Sequence, residues 1–434
     1  MNANDIFMAG AARADITPKI GTHLYGYRPN LVSTTIHDPL NVTALALRQG
    51  ELTALSITAT VCNINNELMA KLRESLSCEL SIPFDHILFS STHTHSGPNL
   101  CGSSGWGEPD LDYFTSIFLP GVMKAAKEAV ANLAPAELAI GATESKVGIN
   151  RREQRLNGDI ALGQNPWGCY DPNMTVIAIR NAESKVGILN MVHYGCHGTA
   201  CGIGNEITRD WSGIMVDRME AETNVLTAFW NGAIGDVGPR LTNGRTIGNI
   251  HHVEELGALA SFDAMRAYKA KGDYRPGNLK LLIDDIRIPY AELPSKEFID
   301  AKLAEYKDAD KLVNADMLVY DYYKRTADFL SDPDAQIPTH FVFHQTLLSL
   351  GDVIFVPSPF ETFSEIFLRL REYSPYPYTL GLSVTNGYEL YLPTQDQLCR
   401  GGYEITCFRF GHVYPLADNT DQHLINENLR IMNQ

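Results

Sequence analysis

The chain has 434 residues, 44% of them hydrophobic and 20% charged, and a formal net charge of -16. This composition is typical of a globular protein with a large core and is too apolar for a disordered chain. The acidic charge argues against nucleic acid or an anionic membrane surface as a partner, because both require a basic stripe. The eight scattered cysteines contain no CxxC pair, which argues against a disulfide scaffold or a zinc ribbon.

Residues 1–5 have neither the basic start nor the apolar core of a signal peptide. No apolar run approaches the roughly 18 residues of a membrane span. We therefore predict a cytoplasmic protein without stable membrane insertion. The sequence leaves the oligomeric state open.

The first third of the chain alternates apolar runs with helix-like segments. Strand-like runs lie at 42–47 and 55–60, and helical periodicity marks 66–76 and 113–133. This alternation over residues 11 to about 147 is typical of an α/β domain.

The apolar run Ile87–Phe89 leads into the motif Ser90–Pro98, which contains His93 and His95. An extended backbone sends alternate side chains to one face, so a strand ending here would present both imidazoles to one point. The pair Gly97-Pro98 then turns the chain. Two convergent imidazoles suit a metal ion, and a structural, hydrogen-bonded pair is the alternative.

A second strand end of the same kind lies further along. Residues 174–179 and 188–192 form a predicted strand pair, and His193 and His197 fall near the end of its second strand. A predicted helix follows at 212–223. A second predicted strand therefore also ends near histidines.

The segment from about 295 to 330 is charge-rich and helical in period, which predicts a helical pair packed on the sheet.

A third strand end supplies a carboxylate. The strand pattern resumes at 341–348 and 352–356, breaks at Pro357–Pro359 and delivers Glu361 at the start of a predicted helix. Glutamate alone at that position is usually a favourable first-turn charge.

These three strand ends have a common chemistry. α/β enzymes build sites at the carboxyl ends of their strands, and imidazole and carboxylate groups are ligands for zinc or iron. We therefore predict that the histidines and Glu361 meet in a metal site.

These strand ends and several further motifs resemble the neutral, non-lysosomal ceramidase family, specifically its N-terminal catalytic domain. The motifs occur in that family's order over nearly the whole chain. They are Gly10–Pro18, Thr92–Pro98, Asn150-Arg151, His197–Thr199, Gly235–Val237 with Pro239, Glu361-Thr362, Asn386–Tyr391 with Thr394, and Tyr403-Glu404.

The resemblance implies an α/β fold with a mixed β-sheet core flanked by helices. It implies a single catalytic domain over residues 1–434, without the C-terminal immunoglobulin-like domain of the family's longer members. The implied zinc ligands are His93, His197, Glu361 and Tyr391, and the residues implied to line the reaction centre are His95, Arg151 and Tyr403.

The implied activity is hydrolysis of a linear amide, in ceramide or another small or lipid-like N-acyl compound, by a metal-bound hydroxide. Zinc lowers the pKa of bound water and polarises a carbonyl. Phenol hydroxyls and a guanidinium donate hydrogen bonds to a developing oxyanion, and His95 protonates the leaving amine.

One residue departs from the family pattern, because Gly238 stands where the family carries a serine. Two other functions stay open. The same site opens an ester or lactone if the pocket admits one, or the chain is a non-catalytic binding protein that keeps the fold. Asp210 and Asp236 either orient ligands or cap loops.

Overall fold

The structure is a computed structural model, and it describes residues 6–102, 106–306, 312 and 314–434. Its longer strands are β1 (Met8–Asp15), β3 (Asn41–Gln49), β4 (Leu52–Ala59), β5 (Ile87–Ser91), β6 (Ala134–Glu144), β7 (Gly148–Gln154), β8 (Ile160–Asn165), β9 (Asn173–Asn181), β10 (Gly187–Tyr194), β12 (Thr227–Asn231), β15 (Leu279–Pro289), β16 (His340–Leu350), β17 (Val353–Pro357) and β19 (Tyr378–Leu382). The short ones are β2 (Thr35–Ile36), β11 (Glu206–Ile207), β13 (Val237–Pro239), β14 (Arg275–Pro276), β18 (Glu361–Thr362) and β20 (Tyr391–Leu392).

The helices are α1 (Asn66–Leu80), α2 (Leu111–Tyr113), α3 (Leu119–Ala131), α4 (Asp210–Thr223), α5 (Ile250–Lys269), α6 (Lys296–Leu303), α7 (Asn314–Ser331), α8 (Ser364–Tyr373), α9 (Gln395–Leu398), α10 (Tyr403–Phe410) and α11 (Thr420–Met432). A 3₁₀ turn spans Phe84–His86, and a π-helical turn, Phe114–Phe118, joins α2 to α3.

The largest sheet runs in the order β12-β10-β9-β6-β1-β3-β4-β5, with β14 beside β6. It is mixed, because β4 and β5 are parallel, as are β10 and β12, while β1 and β3 are antiparallel. A second sheet runs β15-β16-β17-β19, and smaller sheets are β13-β7-β8, β11-β2 and β18-β20. The predicted mixed sheet is therefore present, together with a second sheet that the sequence did not indicate.

Strand alternation explains how the two large sheets stack. In β3, Ala44 and Ala46 face a core shared with α1 and α3. Leu45 and Leu47 face the opposite way, into a core shared with β16 and β17 of the second sheet. This is the two-residue period of a strand that is buried on both sides.

Helices cover the outer faces of both sheets. Helices α4 and α5 pack on β9 and β10, while α8 and α11 pack on the outer face of the second sheet. The order of layers is therefore helices, sheet, sheet, helices. The predicted flanking of the sheet core by helices is confirmed.

The helical pair predicted for about 295–330 is present as α6 and α7. Aromatic contacts attach it to α10, where the Phe410 ring lies 5.3 Å from that of Tyr322. The assignment of one domain to the whole chain stays a prediction. Among the described residues, no helix is both long and apolar enough to cross a bilayer.

Candidate metal centre

His93 and His95 follow the end of β5, and their imidazoles converge. Their two Nε2 atoms lie 3.3 Å apart. The backbone reaches this arrangement by a route that the sequence did not indicate. His93 has a φ of 65°, a left-handed conformation that is uncommon for residues other than glycine. A turn of the backbone at His93 therefore replaces the extended strand of the prediction.

His197 lies in the loop after β10, and its ring centroid is 4.6 Å from that of His93. His193 belongs to β10 itself and lies elsewhere, with its Nε2 atom 2.8 Å from the Gly381 carbonyl oxygen. Of these two histidines, it is His197 that joins His93.

Asn231, at the end of β12, links the two histidine loops. Its side-chain amide donates to the Thr92 carbonyl at 2.8 Å and accepts from the Cys196 backbone N–H at 3.2 Å. The loops also touch directly, since a Cβ atom at Gly198 would lie only 2.8 Å from the His93 carbonyl oxygen. Glycine is required there for the close approach of the backbones.

Glu361 follows β17, as predicted, but it does not begin a helix. It lies in β18, and α8 starts at Ser364. In the parallel pairing of β18 with β20, Glu361 stands opposite Tyr391. Since paired residues of neighbouring strands share a face, this register brings the two side chains together.

His93, His197 and Glu361 form one cluster, in which a ligand atom from each residue lies within 4.8 Å of the others. The Glu361 Oε2 atom is 3.6 Å from His93 Nε2 and 3.1 Å from His197 Nε2. All three residues are buried. The Oε2 atom has no hydrogen-bond donor, which is costly for a buried carboxylate oxygen.

Backbone carbonyls orient both imidazoles. His93 Nδ1 lies 3.0 Å from the Cys62 carbonyl oxygen, and His197 Nδ1 lies 3.0 Å from that of Val237. A carbonyl only accepts, so Nδ1 carries the proton and Nε2 presents its lone pair to the cluster. Metal-ligating histidines are held in this way.

The pKa values keep the cluster ready to bind a cation. Burial, and then the Arg151 charge, lower the pKa of His197 to about 3. Burial also lowers the pKa of His93. Burial alone raises the pKa of Glu361, but His93, His197 and Arg151 outweigh it and hold that pKa well below the usual range. At neutral pH the cluster therefore has two neutral imidazoles and a carboxylate.

Arg151 of β7 contacts two of the residues that the resemblance names as ligands. Its Nη1 atom lies 2.8 Å from His197 Nε2, and its Nη2 atom donates to the Tyr391 hydroxyl at 2.9 Å. A guanidinium only donates, so the imidazole nitrogen and the phenol oxygen both act as acceptors here. A metal ion bound at His197 Nε2 would take the place of the hydrogen bond to Arg151.

Glu404 is a residue of this network to which the sequence assigned no role. One of its carboxylate oxygens accepts from Arg151 Nε at 2.9 Å, and the other accepts from Arg152 Nη1 at 2.6 Å. All three side chains are buried. The only sequence signal was the adjacency of Glu404 to Tyr403 in one motif.

His95 and Tyr403 lie at the edge of the cluster. The His95 ring is 5.0 Å from that of Tyr27, and its Nδ1 atom is buried without a partner. Burial, and then the neighbouring His93 and His197, lower the pKa of His95 well below its usual value. The Tyr403 ring lies 5.6 Å from that of Tyr391, and 47% of the residue is exposed.

The motif Gly235–Val237 holds the surrounding loops together. A Cβ atom at Gly235 would overlap the Glu361 carbonyl oxygen, so glycine permits this contact. The backbone carbonyl of Asp236 accepts from the Arg151 N–H at 2.8 Å. The Val237 carbonyl is the acceptor for His197 described above.

The two aspartates with open roles both cap backbone groups. The Asp236 carboxylate accepts from the backbone N–H and the hydroxyl of Ser364, both at 2.8 Å, at the start of α8. The Asp210 carboxylate accepts from the backbone N–H groups of Ala200 and Cys201. Each side chain is therefore a cap, and Asp236 caps the helix that follows Glu361.

Gly238 packs against Thr246. A Cβ atom at Gly238 would lie 2.7 Å from the Cβ and Cγ2 atoms of Thr246. The threonine side chain thus fills the space into which a serine at position 238 would extend.

The residues of the cluster fit a metal ion. Two imidazole nitrogens that present lone pairs to the cluster and one carboxylate oxygen without a donor are a donor set typical of zinc. A bound cation would explain why the Glu361 Oε2 atom is buried without a hydrogen-bond partner.

The fold and the site define an α/β protein of two stacked sheets with a candidate metal centre at the ends of its strands. The chain belongs to the neutral/alkaline non-lysosomal ceramidase family, whose N-terminal model matches residues 7–255. This family consists of hydrolases that act on amide bonds.

Solved structures agree with this assignment at the level of the fold. The crystal structure of neutral ceramidase from Pseudomonas aeruginosa matches with a TM-score of 0.75 and 16% identity, over 99% of this chain and 75% of that chain. A ceramidase complexed with C2 matches with a TM-score of 0.75 and 17% identity, over the same shares. Comparison with curated protein sequences finds no match.

Proposed function

We propose that the protein is a zinc-dependent amidohydrolase that cleaves the linear amide of ceramide or of another N-acyl compound. The observation that carries this proposal is the buried cluster of His93, His197 and Glu361, with Oε2 of the carboxylate left without a donor. Family membership supports the amide bond as the target. A lipid-like acyl group and a cytoplasmic location stay predictions.

The metal would be held by Nε2 of His93, Nε2 of His197 and Oε2 of Glu361, with the Tyr391 hydroxyl as the proposed fourth ligand. When bound, zinc would lower the pKa of water and polarise an acyl carbonyl. The protein supplies the orientation of the imidazoles, through the Cys62 and Val237 carbonyls.

Arg151 is the proposed electrostatic partner of the reacting carbonyl. Its charge is fixed, because its pKa lies above the usual range despite burial, owing to Tyr391 and Glu404. A buried guanidinium that is already oriented stabilises a developing oxyanion more strongly than water does. Tyr403, whose ring lies beside that of Tyr391, is the proposed second donor.

His95 is the proposed carrier of the proton. Its lowered pKa keeps the imidazole neutral at pH 7, so it accepts a proton before it gives one to the leaving amine. Its Nδ1 atom is enclosed and unpartnered, and its Nε2 atom faces the cluster. Because His93 Nε2 presents a lone pair, the N–H of neutral His95 lies on Nε2, and Nε2 is the atom proposed to deliver the proton.

Metal content and substrate preference test the proposal together. Purified wild type and His93→Ala are analysed by plasma mass spectrometry and assayed on a panel of N-acyl amides, esters and lactones. His193→Ala is the matched control, because it removes a buried histidine that lies outside the cluster. We expect about one zinc per chain in wild type and in the control, and loss of both zinc and activity in His93→Ala.

The other outcomes separate the alternatives. Turnover of lactones or esters but not of amides would contradict the amide proposal and keep the metal site. Full zinc occupancy with no turnover on the whole panel would favour a binding protein. Absence of stoichiometric metal from wild type would remove the basis of the proposed site, and iron or manganese in its place would correct the metal.

A further inference from the structure

The two oxygens of the Glu361 carboxylate have different environments. Oε2 faces the imidazoles of His93 and His197 and has no donor. Oε1 accepts a hydrogen bond from the Tyr388 hydroxyl at 3.0 Å. One oxygen is therefore held by the protein, and the other is free for a cation.

The loop that carries Tyr388 is fixed to the rest of the fold on two sides. Asn386 exchanges two hydrogen bonds of 2.8 Å with the backbone of Phe89 in β5, through its own N–H and its Oδ1 atom. The Tyr388 N–H donates to Oδ1 of Asn66, at the start of α1, at 2.9 Å. The phenol is thus attached to the strand that leads into His93 and to the first residue of a helix.

The same loop contains three residues with left-handed backbone, Val384 (φ 50°), Asn386 (φ 63°) and Leu390 (φ 56°). This conformation is strained for a β-branched residue such as valine. It persists where surrounding contacts determine the backbone, and such residues cluster at ligand sites. The strain and the double anchoring together indicate a loop that is built to hold one position.

We propose that Tyr388 is a positioning residue, which holds Oε1 so that Glu361 meets a metal ion through Oε2 alone. This inference rests on the proposed function, because it assumes that His93, His197 and Glu361 bind a metal. Tyr388 itself acts through Glu361, to which its hydroxyl donates.

The test uses Tyr388→Phe, which removes the hydroxyl and keeps the ring. Its matched control is Tyr113→Phe, which removes another buried hydroxyl, bonded at 2.6 Å to the Ile16 carbonyl in a different core. Zinc affinity is measured by competition with a chromophoric chelator. Loss of a residue that holds a metal ligand typically costs 10- to 100-fold in affinity, and we expect this loss for Tyr388→Phe and no loss for Tyr113→Phe.

A second measurement detects a change of coordination. Cobalt replaces zinc, and its visible absorption weakens as the number of ligands rises. We expect weaker absorption in Tyr388→Phe, because Oε1 becomes free to join Oε2 on the metal. An affinity loss with an unchanged cobalt spectrum would reduce Tyr388 to a structural role and overturn the proposal.

Two further variants keep the proposal falsifiable if Tyr388→Phe folds poorly. Asn66→Ala removes the hydrogen bond that holds the Tyr388 backbone, and it should also lower zinc affinity. In a Glu361→Gln background, Tyr388→Phe should add little further loss, and a full additional loss would show that it acts elsewhere. Wild type that binds no zinc would sink both proposals, whereas wild-type binding that Tyr388→Phe leaves unchanged would overturn this one alone.

Discussion

Replacing Glu404 with glutamine tests the electrostatic network behind the candidate centre. Glu404 is 1% exposed and bonds Arg151 at 2.9 Å and Arg152 at 2.6 Å, with both arginines at 5% exposure or less. Removing one partner of a buried ion pair costs about 3–5 kcal/mol, because it leaves a charge without compensation. Arg152 retains its hydrogen bonds to the Gln397 side chain and the Gly401 carbonyl. We therefore expect a loss of stability at the lower end of this range, about 3 kcal/mol.

Two assays measure the outcome. Urea titration gives the free energy of unfolding, and hydrolysis of the preferred amide gives kcat/KM. We expect kcat/KM to fall about 10²-fold, because Arg151 loses the anchor of its Nε atom and a displacement of about 1 Å at a reaction centre has an effect of that size.

Asp38→Asn is the control for this experiment. Asp38 accepts from the backbone and the side chain of Arg209 at 3.0 and 2.7 Å, in a buried pair apart from the cluster. We expect it to lower stability and to leave kcat/KM unchanged. A loss below about 1 kcal/mol for Glu404→Gln, the value of a surface pair, would refute the argument, as would equal losses of activity in both variants.

Three further outcomes follow from the structure. In chelator-treated protein, the free energy of unfolding should fall by about 2 kcal/mol between pH 7 and pH 5 because of His197. The pKa of His197 is about 3 in the folded chain and about 6.5 in the unfolded chain, so only the unfolded chain takes up the proton in this range. Urea titrations of His197→Gln should lack this part of the pH dependence. Gly238→Ser should cost about 1–3 kcal/mol through overpacking on Thr246, and adding Thr246→Gly should restore most of it; an unaltered stability in the single variant would contradict the packing argument. Removing zinc from protein that is kept in free zinc at a hundred times Kd should lower the free energy of unfolding by about 2.7 kcal/mol. Calorimetry of His93→Ala with and without zinc should show no such difference.

Local patterns in the sequence predict much of the fold. The apolar run before His93 is β5, the run before Glu361 is β17, and the helical pair near 295–330 is α6 and α7. Each of these depends on residues close together in the chain, which periodicity captures. The stacking of two sheets depends on a hydrophobic core that β3 shares with β16 and β17, far apart in sequence, and no local pattern encodes it.

The candidate site divides in the same way. His93, His197 and Glu361 were visible because each follows an apolar strand. The pairing of Glu361 with Tyr391 arises from a two-residue parallel bridge, and such a bridge is too short to leave a periodic signal. Tyr391 therefore came from the family resemblance alone.

The residues that hydrogen-bond the proposed ligands or their loops carry no signal of that role in the sequence. Glu404, Tyr388 and Asn231 are ordinary polar residues in sequence, and their roles appear only when their partners are known. The left-handed backbone at His93 was hidden for a similar reason, because nothing in a Thr-His-Thr stretch announces a positive φ. Candidate side chains at strand ends are thus visible in the sequence, whereas the hydrogen bonds around them are a property of the folded chain.

That support determines what metal binding has to accomplish. Carbonyl groups already fix His93 and His197, and Tyr388 already holds one oxygen of Glu361. In small zinc domains, by contrast, the ligands come together only with the metal, so the binding energy becomes folding energy. Here the metal has to displace two hydrogen bonds, from Arg151 to His197 and from His95 to His93, and little else needs to be ordered. Chelation should therefore remove the binding free energy and leave the fold, which is why a loss of a few kcal/mol, and not unfolding, is the expected result of stripping the site.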